Sequence, residues 1–316
     1  MTGYYNFVIF FKSINPFTEE TIAEYPHHHE KEIVLFIENL HKGYQSWKST
    51  ALDERLRLVR FLQKTLLQKK NNVAKLITDE MDKPIIKSFA EIDKSILLCD
   101  YYYENSHNFL RKNLVKTEYS NSYYQYSPLG VILGIMPWNF PLWQLMRFAI
   151  PNLILGNTIL LKHAPNTTGV SLAIENLIAE IFPSGVFKSI IVDIPVIEKI
   201  LKHEFITGVS ITGSKKAGAA VAKIAGQNIK KSVLELGGND PFIVFDDADL
   251  KNAVHQCVTS RLLNSGQVCV AAKRIILHKN IAADFQQLLL KSLADVAIGE
   301  VSPKARPKIV KIERQF

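Results

Sequence analysis

Three cysteines in 316 residues, Cys99, Cys257 and Cys269, are too few and too scattered for a disulfide framework. Nor do they stand at a metal-binding spacing, so no metal site is expected. No apolar run approaches the length of a membrane-spanning helix, and the stretch 7–11 is too short for a signal-peptide core. A reducing cytoplasm is the compartment these absences imply. Aromatic side chains do not interleave with the basic ones as they do in nucleic-acid binders. The formal charge of +8 does not alter that reading, because half of the excess sits in residues 303–316, where five cations face Glu313 alone. The dinucleotide fingerprint G-x-G-x-x-G after a strand is missing as well. What is present is a chain 47% hydrophobic and 22% charged, enough to bury a sizeable core in one large or two ordinary domains.

The first third reads as helices. Apolar residues at steps of three and four predict a helix over 30–47, a second from about Asp53, a plausible N-cap, through Leu66, and a third over 85–110. His27, His28 and His29 fall between the elements in a polar, solvated loop. Beyond Glu118, the alternating tyrosine-rich stretch 119–126 predicts an exposed strand or hairpin. Short apolar runs then alternate with helical patterns. Strands are predicted at 131–136, 158–161, 189–192, 209–212 and 233–236, with helices starting at Pro141 and spanning 168–182 and 215–225. This order predicts an α/β fold with a doubly wound parallel sheet. A further unit begins after Gly237-Gly238, with strands at 242–245 and 274–278 around a helix whose start is loaded with Asp246, Asp247 and Asp249 against its dipole and which ends near Leu263.

Cys269 follows the glycine-containing loop Asn264-Ser265-Gly266-Gln267. Alone, it is as well explained as a small core residue, the reading that suffices for Cys99 and Cys257. Its context points elsewhere. Five motifs occur in order: Pro137-Trp138-Asn139-Phe140-Pro141, Leu160-Leu161-Lys162, Ile211-Thr212-Gly213-Ser214, Leu234-Glu235-Leu236-Gly237-Gly238 and Asn264-Ser265-Gly266-Gln267-Val268-Cys269. Together they resemble the aldehyde dehydrogenase superfamily, and the likeness covers about 14–299. The segments 127–130, 147–149 and 162–164 look most similar to the bacterial NAD(P)-dependent succinate-semialdehyde dehydrogenases.

The resemblance implies a cysteine mechanism. A thiolate at Cys269 attacks the aldehyde carbonyl, and the Asn139 amide and the Cys269 backbone N–H receive the thiohemiacetal oxygen. Loss of hydride to NAD or NADP leaves a thioester, which water hydrolyses with Glu235 as general base. Taken by itself, Glu235 is equally a carboxylate solvated at a strand end. For the cofactor the resemblance implies Met136, Trp138, Lys162, His163, Ala164, Pro165, Gly213, Ser214 and Leu236, with Lys162 near the adenosine ribose and Gly213-Ser214 near the pyrophosphate at a helix N-terminus. Pro165 stands where NAD-selective relatives place a ribose-binding glutamate, so NADP is expected to be tolerated and even preferred. Asp193, in a loop lacking the family's usual glycine, is expected close to the pyrophosphate. Trp143 and Arg147, one helical turn apart, are expected to line the substrate funnel, with Arg147 holding a distal carboxylate; the plain alternative is an arginine in a surface ion pair.

By the same resemblance the chain divides into an NAD(P)-binding domain over 1–236, with an oligomerisation hairpin at about 108–127, and a partial α/β catalytic domain over 237–300 carrying the nucleophile. Residues 301–316 read as an aberrant basic tail of a kind a frameshift produces. Relatives run on for well over a hundred residues, so a second cofactor carboxylate, a phenylalanine against the nicotinamide and the strand that pairs with the hairpin are expected to be missing. Two functions follow as expectations: an oxidoreductase acting on a small-molecule aldehyde, or an inactive nucleotide-binding remnant. The family is homo-oligomeric; neither nucleic acid nor membrane is an expected partner.

Overall fold

A run such as Val-Ile-Leu-Gly-Ile-Met at 131–136 has no polar side chain to offer water, so it forms a stable strand only with both faces covered. In the computed structural model, which describes residues 9–296, that run is the central strand of a five-stranded sheet. The chain enters through an antiparallel pair, β1 (Phe10–Ile14) and β2 (Thr21–Pro26). Four helices follow: α1 (Glu30–Trp47), α2 (Leu52–Gln68), α3 (Lys70–Met81) and α4 (Ile85–Leu110). A short hairpin, β3 (Asn113–Leu114) with β4 (Tyr123–Tyr124), leads into the sheet. Its strands and crossovers are β5 (Val131–Met136), α5 (Pro141–Leu155), β6 (Thr158–His163), α6 (Thr168–Ala179), β7 (Phe187–Ile190), α7 (Ile194–Lys202), β8 (Ile206–Gly213), α8 (Lys215–Gln227) and β9 (Lys231–Leu236). Last come β10 (Pro241–Val244), α9 (Leu250–Leu262), β11 (Arg274–Leu277) and α10 (Ala282–Ala294).

The sheet order is β7-β6-β5-β8-β9, and every neighbouring pair is parallel. The strand order reverses between β5 and β8, and the crevice beyond the carboxyl ends of those strands is where such sheets receive ligands. Alternate side chains fill two separate cores. Ile132, Ile159 and Leu161 pack with residues of α2 to α6, whereas Val131, Leu133 and Leu160 pack with residues of α1, α7 and α8. The doubly wound arrangement predicted from the sequence is therefore present. After β9, β10 and β11 pair in parallel and share a small core of Val244, Val254, Cys257, Ile281 and Phe285 with α9 and α10. Ile243, Phe245 and Ile276 of this unit are exposed.

Several boundaries differ from the sequence reading. α3, α7 and α10 have no counterpart in it. Asp53 is not the N-cap of α2: that position is Ala51, without a side-chain cap, and the Asp53 carboxylate instead meets the His107 ring at 2.8 Å. α6 stops at Ala179 rather than at 182. The third sheet strand ends at Ile190 because Ile191 turns to another partner: its N–H donates to His28 Nδ1 at 3.0 Å, and its carbonyl accepts the His28 N–H at 2.9 Å. The three histidines are accordingly not a solvated loop. His28 is part of this pairing, burial and then nearby Lys188 lowering its pKa, and His29 begins α1 through a capping box with Glu32. The expected tail over 301–316, and the end of the unit over 237–300, lie outside the described residues. Among the described residues no helix is long and apolar enough to cross a membrane.

Candidate active site

The expected site residues cluster by strand register. Met136 pairs with His163, Ile135 with Lys162, and Gly213 with Leu236, so the ends of β5, β6, β8 and β9 form one edge of the sheet. The loops leaving this edge carry Trp138 and Asn139 after β5, Ala164 and Pro165 after β6, Ser214 after β8 and Gly237-Gly238 after β9.

The loop after β5 is fixed by two buried charges, neither of which the sequence reading singled out. Lys83 lies just beyond Asp82, the left-handed residue (φ 51°) that ends α3, and Glu91 faces it from α4. Both are almost fully buried and ion-paired. Glu91 Oε1 accepts the N–H groups of Leu142 and Trp143, each at 2.9 Å. It thereby caps α5, whose own N-cap residue, Phe140, has no side-chain acceptor. Lys83 Nζ donates to Glu91 Oε2 and to the Asn139 carbonyl at 3.3 Å, and stands 4.5 Å above the Phe140 ring. Burial lowers the Lys83 pKa, while Glu91 pulls it back up.

The loop that leads to Cys269 docks onto that same asparagine. Asn264 Nδ2 donates to the Asn139 carbonyl at 2.7 Å, and Asn139 Nδ2 donates to the Gln267 carbonyl at 2.8 Å. Asn264, Ser265 and Gly266 all have positive φ, at 51°, 57° and 79°. Three consecutive left-handed residues, two of them non-glycine, are costly and mark a turn held by its surroundings. On the far side of Cys269, Lys273 Nζ donates to the Cys269 carbonyl at 2.9 Å and to the Gly238 carbonyl at 2.6 Å. The loop is thus strung between Asn139 and the strand end that bears Glu235. Cys269 itself is exposed, and its N–H has no acceptor among the described residues. The amide of Asn139 has a second N–H beyond the one given to Gln267. The Cys269 N–H and the second Asn139 N–H thus belong to two loops that are docked on one another.

Glu235, penultimate in β9 and exposed, faces Arg147 of α5 at 3.5 Å. Trp143, one turn earlier, lies beneath the Lys94 ammonium at 4.0 Å. Of the cofactor candidates, Lys162 is nine-tenths buried, and among the described residues its ammonium makes no hydrogen bond or ion pair. Burial lowers its pKa; Asp193 opposes that. Such a cation suits a ligand of hydroxyls and phosphates. Asp193 itself is drawn to His27 at 3.5 Å. His163 is buried, with Nε2 against the Pro141 carbonyl at 3.0 Å and Nδ1 accepting the Ala164 N–H at 2.9 Å. Its pKa is pushed down to about 4, chiefly by burial, so the ring is neutral and committed to the protein; its backbone is what remains for a cofactor. Ser214 caps α8 by accepting the Ala217 N–H at 3.2 Å, and Leu236 packs on Gly218 in the first turn of that helix. Two surface hollows, one between α2 and α4 and one between α1 and α7, contain none of these residues.

The sequence pattern of the aldehyde dehydrogenase family matches residues 9–307. The chain belongs to the aldehyde dehydrogenase family. The match runs past Gly299, where the sequence reading ends the likeness. The NAD(P)+ succinate semialdehyde dehydrogenase Sad of Escherichia coli is 41% identical over 293 residues, covering 91% of this chain and 63% of the relative. A succinate-semialdehyde dehydrogenase [NADP(+)] of Deinococcus radiodurans is 38% identical, covering 92% of this chain and 61% of that one. Among solved structures, the succinic semialdehyde dehydrogenase of Streptococcus pyogenes in complex with NADP+ superposes with a TM-score of 0.91 at 31% identity, over 94% of this chain and 66% of the other. The chain therefore spans somewhat under two thirds of the length of these relatives. Lys83, Glu91 and Lys273, which hold the loops bearing Asn139 and Cys269, were not singled out from the sequence. The one signal for the first was Pro84, which fixes where α4 can begin and so where Lys83 must stand.

Proposed function

We propose that this chain oxidises a short carboxylated aldehyde, succinate semialdehyde first among them, to its acid with NADP, and more weakly with NAD. The observation that carries the reading is the docking of the exposed Cys269 loop on Asn139. The Cys269 thiolate adds to the aldehyde carbon, and the carbonyl oxygen takes the charge between the Cys269 N–H and the Asn139 amide. NADP, when bound, supplies the acceptor for the hydride. Glu235 then takes a proton from the water that cleaves the thioester, freeing acid and thiol. Lys162 and the N-terminus of α8 at Ser214 hold the adenosine ribose and pyrophosphate. Pro165 in place of a carboxylate leaves room for a 2′-phosphate, in keeping with relatives named for NADP. Arg147 takes the distal carboxylate of the substrate. The cytoplasm is the chain's place of action.

The purified chain is assayed with succinate semialdehyde and each cofactor, beside Cys269→Ala. NADPH formation that disappears in the variant supports the reading. NADP binding without any turnover would replace it with a nucleotide-binding role.

A further inference from the structure

We propose that the buried Lys83–Glu91 pair is the positioning element of the oxyanion site, setting where the Asn139 amide stands relative to Cys269. The proposal rests on the reading of Asn139 as an oxyanion donor.

An ion pair this deeply buried is poor evidence for stability, because the desolvation of two charges offsets much of their attraction, and an apolar pair of similar volume often does as well. Its contacts show a different use. Glu91 holds the amides of Leu142 and Trp143, and Lys83 holds the carbonyl of Asn139. Every one of these contacts falls within residues 139–143, and Pro141 fixes a φ in their midst. The Asn139–Phe140, Pro141–Leu142 and Leu142–Trp143 peptide planes are therefore set from α4 and the turn before it, not by the loop itself. Asn264 completes the frame by donating to the same Asn139 carbonyl, so the Lys83 ammonium and the nucleophile loop meet on one oxygen. Movement of that oxygen shifts the Asn139 side chain and the Gln267 carbonyl together. A misplacement of about 1 Å at such a site costs on the order of 10² in rate.

The test needs no turnover. Succinate semialdehyde forms a thiohemiacetal reversibly on Cys269 and shields it from iodoacetamide; mass spectrometry of the Cys269 peptide gives the apparent Kd. The alkylation rate without aldehyde is each variant's own reference. Lys83→Met, Glu91→Gln, the paired replacement Lys83→Met with Glu91→Leu, Asn139→Ala, and Asn139→Ala with Lys83→Met are compared in the full chain. The paired replacement leaves no unpaired buried charge, so it keeps the melting temperature even if Lys83→Met alone unfolds. Loss of one oxyanion donor costs about 10²–10³ in rate, so partial displacement weakens shielding by about tenfold or more in the paired replacement. Lys83→Met adds nothing to Asn139→Ala, since both act through the same amide. Shielding at the wild-type level in a folded paired replacement overturns the proposal, as does full additivity of Lys83→Met with Asn139→Ala. Undiminished shielding in Asn139→Ala refutes the reading of Asn139 itself, and the proposal with it.

Discussion

The Arg147 guanidinium stands 3.5 Å from the Glu235 carboxylate, so the proposed holder of the substrate's carboxylate is already engaged with the proposed base. Both side chains are substantially exposed, and such pairs contribute about 0–1 kcal/mol. A substrate carboxylate that takes the guanidinium through two parallel hydrogen bonds outcompetes a single long contact. Arg147→Met is thus expected to raise KM for succinate semialdehyde by about 10–100-fold, the range for losing a hydrogen bond to a charged group. KM for butanal, which has no carboxylate, changes by less than about threefold. Steady-state kinetics on the two aldehydes checks this, and equal losses on both would remove Arg147 from substrate recognition.

The three thiols differ sharply in environment. Cys99 and Cys257 are fully buried, and burial pushes the Cys99 thiol up to about 12, whereas Cys269 is exposed. Since the thiolate is the reacting form, brief iodoacetamide treatment of the native chain at pH 7.5 should mark Cys269 alone, and all three cysteines after unfolding in guanidinium. Peptide mapping reads the result. Native labelling of Cys257 at a comparable rate would show that the small core shared by β10, β11, α9 and α10 opens readily.

Much of this architecture was legible in the sequence, for identifiable reasons. β5 and α1 match their predicted spans because one is an unbroken apolar run and the other a single helical periodicity, and Pro141 and Asp249 mark helix starts by chemistry that acts within a turn. β7 was misplaced by two residues because its end is decided by His28, more than 160 residues away. α3 follows α2 with only Lys69 between them, so the two patterns merge when read in one dimension. The residues proposed to touch the chemistry stand in five ordered motifs. The residues that hold them did not: Lys83 and Glu91 look like ordinary helix-surface charges until the fold places them in the core, and the pairing of Arg147 with Glu235 joins α5 to β9 across the sheet edge.

A second buried carboxylate acts on the next helix. Glu80 accepts Ser13 Oγ at 2.8 Å, the Gly169 N–H at 2.9 Å and the Val170 N–H at 3.0 Å, and so binds the start of α6 to α3 and β1. Burial raises its pKa from 4.5 to about 6, although these three hydrogen bonds pull the other way. Because the folded value lies above the unfolded one, its contribution to stability is fully present below pH 4.5 and is lost as pH rises through about 6. Relative to Glu80→Gln, the wild-type chain should lose on the order of 2 kcal/mol between pH 4.5 and 7, a difference of several degrees in Tm. Thermal melts of both proteins across that range check the sign. A difference in Tm that does not vary with pH would show that Glu80 titrates alike in the folded and unfolded chains.

Cofactor choice should turn on Pro165. It opens a single turn of tight helix, Pro165–Thr167, just past the carboxyl end of β6 and three residues beyond the buried Lys162. Pro165 is exposed, and its carbonyl, which accepts Thr168 Oγ1 at 2.8 Å, is common to any residue. A glutamate at the start of a helical turn is favoured by the backbone dipole, so Pro165→Glu should fold normally. Its carboxylate would accept hydrogen bonds from the free ribose hydroxyls of NAD. Against a 2′-phosphate it would instead set two anionic groups together in a partly dry site, where repulsion of about 1.4 kcal/mol or more weakens binding at least tenfold. Lys162→Ala should weaken both cofactors, because its ammonium serves hydroxyl and phosphate alike. Binding is followed by quenching of tryptophan fluorescence, to which the half-exposed Trp138 at the end of β5 is well placed to respond. The expected result for Pro165→Glu is a rise of tenfold or more in the Kd for NADP with the Kd for NAD unchanged or lower. A ratio of the two constants equal to that of the wild type would mean that the adenosine end of the cofactor does not reach the edge formed by β6, and the assignment of Lys162 to the ribose would fail with it.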